Sequence, residues 1–146
     1  MEGNRMNVAA IMTTKPVTIR HDGTLGQALE MMENVGCRHL PVISAESHLI
    51  GIVSDRDCRL ALNSPHVMRE RWQDEAVTNR TFVSMIMTPA PIVVEPDTSI
   101  YEATRLMLNN HISALPVMRG ETLVGIITTS DLLMAYMRET ERALVR

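Results

Sequence analysis

Apolar positions along the chain alternate between two periods, and the alternation occurs twice. "LGQALEMMENV" keeps Leu25, Ala28, Leu29, Met32 and Val35 on a helical period, and "IYEATRLMLNN" does the same with Ile100, Ala103, Leu106 and Met107. Each is preceded by a short extended apolar piece, Val17–Ile19 in one case and Ile92–Val94 in the other. Each is followed by two short apolar runs around a polar turn, Leu40–Ile43 with Leu49–Ser54 and Leu115–Met118 with Leu123–Thr128. A second helical stretch closes each set, Asp57–Leu62 and Asp131–Arg142. The order β-α-β-β-α therefore occurs twice. Thr24-x-x-Gln27 and Ser99-x-x-Glu102 stand where a capping box would open the first helix of each set.

The two sets are copies. A shift of 75 residues carries Met12, Thr13, Pro16, Asp22, Ala28, Met32, Asn34, Leu40, Pro41 and Val42 onto identical residues from Met87 to Val117. After Val42 the shift falls to 74, because "ISAESHLIG" is one residue longer than "MRGETLVG", and a polar turn is where a loop absorbs such a change. "GIVSDRD" (Gly51–Asp57) returns as "GIITTSD" (Gly125–Asp131). Repetition at this length marks duplicated supersecondary units, neither of which buries its sheet alone. The expected division is a first repeat over 1–63, a helical connector over 64–83 and a second repeat with a C-terminal helix over 84–146. Val67, Met68, Arg71, Trp72 and Glu75 give the connector partly helical spacing, with Trp72 as an anchor against the body or a second chain.

Composition narrows the picture. Hydrophobic residues make up 45% and charged residues 21% of the 146, which is a globular balance. The formal net charge of −3 gives no electrostatic reason to expect nucleic acid or an anionic membrane as a partner. No apolar run approaches ~18 residues and the start is polar, so a cytoplasmic protein is expected. Aromatics are 3% against 12 methionines, so the core is aliphatic and thioether. Cys37 and Cys58 lack CxxC spacing and read as reduced thiols. The five histidines show no metal-ligand spacing, and no Gly-rich phosphate loop or nucleophile motif is present, so an enzyme is not expected. Gly26 weakens its helix and allows close packing.

The β-α-β-β-α order, the "HLPV" and "ALPV" strands, and Gly-x-x-Ser/Thr-x-x-Asp at the end of the third strand resemble a tandem cystathionine-β-synthase (CBS) domain pair, a Bateman module of the stand-alone bacterial kind. The resemblance covers about residues 8–138. It implies an α/β (α+β) fold, two repeats packed face to face with pseudo-two-fold symmetry, and a homodimer formed through the exposed parts of the first helix of each repeat. It also implies an adenine nucleotide (AMP, ADP or ATP) in clefts between the repeats, acting as a regulatory ligand upon an unknown downstream protein.

Carried onto this sequence, the resemblance gives one cleft as Asp131, Thr128, Thr88, Ile92, Val93, Ile112, Ser113 and Ala114, with Arg38 and His39 reaching in for the phosphate. The other is Asp57, Ser54, Thr13, Val17, Thr18, Cys37 and Arg38. One carboxylate can accept both ribose hydroxyls, and Asp57 and Asp131 stand at helix starts where the dipole favours them. Ser/Thr-x-x-Asp before an apolar run is also a plain capping box, and the two roles are compatible. Arg38 and His39 have uncharged counterparts in Ser113 and Ala114, so the Asp131 cleft is expected to be the better binder. Lys15 and His111 are auxiliary candidates. Two alternatives stay open: a dimerising scaffold with empty clefts, and a module for S-adenosylmethionine.

Overall fold

The computed structural model describes residues 6–62 and 71–145, with side chains placed outside 71–74. Residues 63–70, which include Val67 and Met68 of the connector, lie outside the described residues, as does the side chain of Trp72. The fold is mixed α+β, with two sheets and five helices among the described residues. It divides into two compact units, one formed by Val17–Pro91 and the other by the segment ending at Pro16 together with everything from Ile92 onward.

The Val17–Pro91 unit contains β2 (Ile19–Arg20), α1 (Leu25–Val35), β3 (His39–Ile43), β4 (Leu49–Ser54), α2 (Asp55–Leu62), α3 (Arg71–Arg80) and β5 (Thr88–Pro89). Its sheet runs in the order β2-β3-β4-β5. The second unit takes β1 (Thr13–Thr14) from the start of the chain. It adds α4 (Ile100–Asn110), β6 (Ala114–Arg119), β7 (Thr122–Thr128) and α5 (Thr129–Leu144), with sheet order β1-β7-β6. Both hairpins are antiparallel, and both carry an irregularity at the same repeat position, Val42/Ile43 and Val117/Met118. The second extended piece foreseen from the sequence, Ile92–Val94, forms a single parallel bridge from Val94 to Val117 rather than a ladder.

Each unit has its own core. Ile19, Leu25, Ala28, Met32, Leu40, Val42, Val53, Cys58 and Val83 close one, and Val8, Val94, Ala103, Met107, Leu115, Val117 and Ile127 close the other. The α1 box forms as the spacing predicts: Gln27 N–H donates to Thr24 Oγ1 at 3.2 Å, and Thr24 N–H donates to Gln27 Oε1 at 2.9 Å. At α4 only half of it forms. Glu102 N–H donates to Ser99 Oγ at 3.0 Å, but the Glu102 carboxylate accepts from Arg105 Nε at 2.9 Å instead of turning back to the cap. A cation one turn ahead outcompetes a neutral backbone N–H for the carboxylate. Both helices end in a left-handed residue, Gly36 at φ 76° and His111 at φ 54°.

The leading segment of each repeat lies on the sheet of the other. Thr13 and Thr14 pair with Ile126 and Gly125 of β7, while Thr88 and Pro89 pair with Ile52 and Gly51 of β4. The preceding methionine explains the repeated glycine. A Cβ on Gly125 would stand 2.6 Å from Met12 Sδ and 2.9 Å from Thr13 O. On Gly51 it would collide with Met87 Sδ and stand 3.0 Å from Thr88 O. Any larger residue pushes the edge strand off its sheet. Gly26 has a similar use, since its Cβ would stand 3.3 Å from both Cβ and O of Thr78 on α3.

Gly125→Ala and Gly51→Ala should therefore each lower stability by about 1–3 kcal/mol, the range for overpacking a fitted contact. Urea unfolding followed by circular dichroism checks this, and wild-type midpoints in both variants would contradict it.

Candidate functional site

The two copies of Gly-x-x-Ser/Thr-x-x-Asp fold into the same local frame. In each, the hydroxyl residue ends the third strand of its repeat and caps the following helix, with the aspartate at the third helical position. Asp57 N–H donates to Ser54 Oγ at 3.0 Å, and Ser54 N–H donates to Asp57 Oδ2 at 2.8 Å. In the other unit Asp131 N–H donates to Thr128 Oγ1 at 3.4 Å, and Asp131 Oδ2 accepts from Thr128 N–H at 2.9 Å and from its hydroxyl at 3.2 Å. Both helices start two residues before the aspartates, at Asp55 and Thr129, because the hydroxyl residue is the cap. Both carboxylates are half-buried. The cap uses Oδ2, so each carboxylate is held rigidly at a helix N-terminus by one of its two oxygens.

A second tie completes the frame. Asp55 N–H donates to Arg38 O at 2.9 Å, and Thr129 N–H donates to Ser113 O at 3.0 Å. The residues before each Leu-Pro-Val strand are thereby fastened to the helix start that carries the aspartate. His39 stands opposite Ser54 in the β3–β4 ladder, and Ala114 stands opposite Thr128 in the β6–β7 ladder. The frames match, but their furnishing differs. Exposed Arg38 and half-buried His39 adjoin Asp57, whereas Ser113 and Ala114 adjoin Asp131.

The structure distributes the sequence candidates between the units as follows. Ser54, Asp57, Val17, Thr18, Cys37, Arg38, His39 and Thr88 belong to the Val17–Pro91 unit. Thr128, Asp131, Ile92, Val93, Ile112, Ser113, Ala114 and Thr13 belong to the other. Val17 and Ile92, equivalent in the repeat, are apolar yet each is 38% exposed. Of these candidates, the open groove beside β2, lined by Arg20, Asp22, Gln27 and Glu30, takes in Thr18 alone.

Burial sets the titration of the groups around Asp57. It lowers His39 below its ordinary range, opposed by the Asp57 carboxylate and reinforced by the Arg38 guanidinium, so the imidazole is neutral at pH 7. Cys58 is fully buried, and burial together with Asp57 and Asp55 pushes its thiol up to about 11. Burial also raises the half-buried Cys37 thiol. Both cysteines are free thiols, and neither is poised as a nucleophile. Among the described residues no cluster of three or more His, Cys, Asp and Glu could hold a metal ion. No described helix is long and apolar enough to cross a membrane.

Sequence reasoning missed two features. One is the exchange of leading segments, whose signal was the recurrence of Met-Thr ahead of Gly-x-x-Ser/Thr. The other is the placement of His39 beside Asp57, which follows from the ladder register and has no signature in residue spacing.

Comparison with known proteins fits this geometry. The CBS domain family matches residues 8–64 and 83–138, and the chain belongs to that family as a tandem pair. A CBS domain-containing protein of Dictyostelium discoideum is 36% identical over 136 residues, covering 92% of this chain and 93% of that protein. Among solved structures, CBSX2 in complex with AMP is 28% identical with a TM-score of 0.72, over 92% of this chain and 98% of that one. The CBS domain pair of MJ0100, in complex with 5'-methylthioadenosine and S-adenosyl-L-methionine, shares the fold at a TM-score of 0.78 and 22% identity, over 92% and 98% of the two chains.

Ser54→Ala and Thr128→Ala should each cost about 1 kcal/mol through loss of the cap, read by thermal unfolding. For His39 the folded chain binds the proton less readily than the unfolded one. Its contribution to stability is thus full above pH 6.5 and is lost as pH falls below that value. His39→Gln should flatten the acid-side decline of the melting temperature, and an unchanged slope would contradict this.

Proposed function

We propose that the chain is a regulatory module that senses an adenine nucleotide, AMP, ADP or ATP, in clefts between the two CBS repeats, and that it is not an enzyme. The observation that carries this reading is the repeated frame: a half-buried carboxylate, fixed at a helix N-terminus with one oxygen engaged in the cap, suits a pair of adjacent ribose hydroxyls. The AMP complex of CBSX2, a relative at 28% identity, supports the ligand class. In this reading Asp131 and Thr128 take the ribose of the better site, where Ile92, Val93, Ile112, Ser113, Ala114 and Thr88 form the adenine slot. Arg38, reaching in from the opposite repeat, supplies the cation for its phosphate, and the neutral His39 imidazole adds an N–H donor. Asp57, Ser54, Thr13, Val17, Thr18, Cys37 and Arg38 form the weaker site, whose phosphate meets uncharged Ser113 and Ala114 from the opposite repeat. Binding shifts a population of conformations by the ligand's differential affinity for them, and an unknown downstream protein reads the shift.

Self-association as a homodimer belongs to the same proposal. Tyr101 and Leu108 on α4 are 76% and 70% exposed, and Leu133, Tyr136 and Met137 on α5 are 65%, 68% and 67% exposed. Tyr101 is the repeat counterpart of Gly26, where α1 receives α3, so α4 presents an aromatic ring at the position where α1 accommodates a helix. A cytoplasmic location, with no nucleic-acid or membrane partner, completes the reading.

Isothermal titration calorimetry with AMP, ADP, ATP and S-adenosylmethionine tests it. A phosphorylated nucleotide should bind saturably, Asp131→Ala should abolish binding, and Arg38→Ala should weaken it by about tenfold or more, the worth of a charge-assisted contact. Binding of S-adenosylmethionine alone, unchanged in Arg38→Ala, would replace the nucleotide reading. Silence from every ligand at millimolar concentration would favour an interaction scaffold with empty clefts.

A further inference from the structure

Four residues other than glycine have a positive φ among the described residues: Lys15, Ser47, Ala90 and His111. His111 ends α4 and Ser47 lies in the β3–β4 turn, where left-handed backbone has an ordinary use. Lys15 and Ala90, at φ 50° and 45°, cap no helix and turn no hairpin. They are counterparts in the repeat, and each precedes a proline, Pro16 and Pro91. Those prolines end the two segments at which the chain passes between units, at Pro16–Val17 and Pro91–Ile92. A Cβ makes the left-handed region unfavourable, and a following proline narrows the choice of backbone further.

Such strain persists only where the flanks enforce it. Upstream of Lys15, Thr13 and Thr14 are paired with β7, and Met12 fills the space over Gly125. Upstream of Ala90, Thr88 and Pro89 are paired with β4, Met87 lies over Gly51, and Ala90 N–H donates to Ile50 O at 3.1 Å. Downstream, Ile19 pairs with Val42, and Val94 N–H donates to Pro116 O at 3.0 Å. Each strained residue is thus flanked along the chain by a paired segment on either side. The upstream anchors are the weaker ones, since both residues of β1 and of β5 are exposed, whereas the downstream anchors Ile19 and Val94 are buried in their cores.

We infer that β1 and β5 are a pair of strained latches, loaded by Lys15 and Ala90, which detach from their sheets by local opening while both cores stay folded. Release of either strand relaxes its joint, so the strain lowers the free energy of opening. The inference is independent of the ligand, although Val17 and Ile92, the first residues past the joints, are those assigned above to the adenine slots. A ligand that grips them would bias the latches.

Amide hydrogen exchange on the full chain without ligand tests this. In wild type the amides of the Thr13–Ile126 and Thr88–Ile52 pairs should exchange much faster than those of Leu40 and Leu115 in the cores. Lys15→Gly and Ala90→Gly, which fit any φ, should slow exchange at their own latch on the order of fivefold. Lys15→Ala, which keeps the Cβ and removes the charge, should leave it unchanged. Latch amides that exchange only with the cores in wild type would overturn the inference. So would glycine variants whose latch exchange is unchanged or faster, and so would Lys15→Ala acting like Lys15→Gly.

Discussion

The close approach of a methionine–threonine segment to a glycine in a neighbouring strand is the constraint on which the molecule depends. Met12 and Thr13 lie against Gly125, and Met87 and Thr88 against Gly51, at distances that leave no space for a side chain on either glycine. Through these contacts each repeat lends its first strand to the sheet of the other. Each unit buries a core of aliphatic and thioether side chains, but the edge of each sheet is supplied from outside its own repeat. The duplicated gene segment thus yields two units that are not two independent repeats.

Duplication of the frame, combined with divergence of its contents, underlies the unequal binding proposed above. The cap at Ser54–Asp57 and the cap at Thr128–Asp131 share the same reciprocal pair of bonds, and the ties from Asp55 to Arg38 and from Thr129 to Ser113 are the same bond in two places. What differs is charge. A neutral, half-buried imidazole and an exposed guanidinium stand beside one aspartate, and a serine and an alanine beside the other.

Much of this was legible in the sequence. Period-3.6 and period-2 patterning located the helices and hairpins, because one face of each element is buried in its own unit and leaves that imprint. The aspartates and their hydroxyl partners were legible because a capping box is a local interaction. Three features were not. The partner of β1 is set by a ladder more than a hundred residues away, Thr13 against Ile126, which no local pattern encodes. The failure of Glu102 to complete its cap depends on Arg105 competing for one carboxylate. The strain at Lys15 and Ala90 is invisible in residue identity, since neither is a residue that favours left-handed backbone.

The central proposal is that two matched carboxylate frames bind unequally because Arg38, although carried by the repeat of Asp57, serves the phosphate of a nucleotide whose ribose is held by Asp131. A crystal structure of the chain grown with AMP examines it most directly. The account predicts the ribose hydroxyls on the Asp131 carboxylate with the phosphate facing Arg38, at higher occupancy than any nucleotide on Asp57. AMP seated on Asp57 alone, or with its phosphate turned away from Arg38, would contradict it.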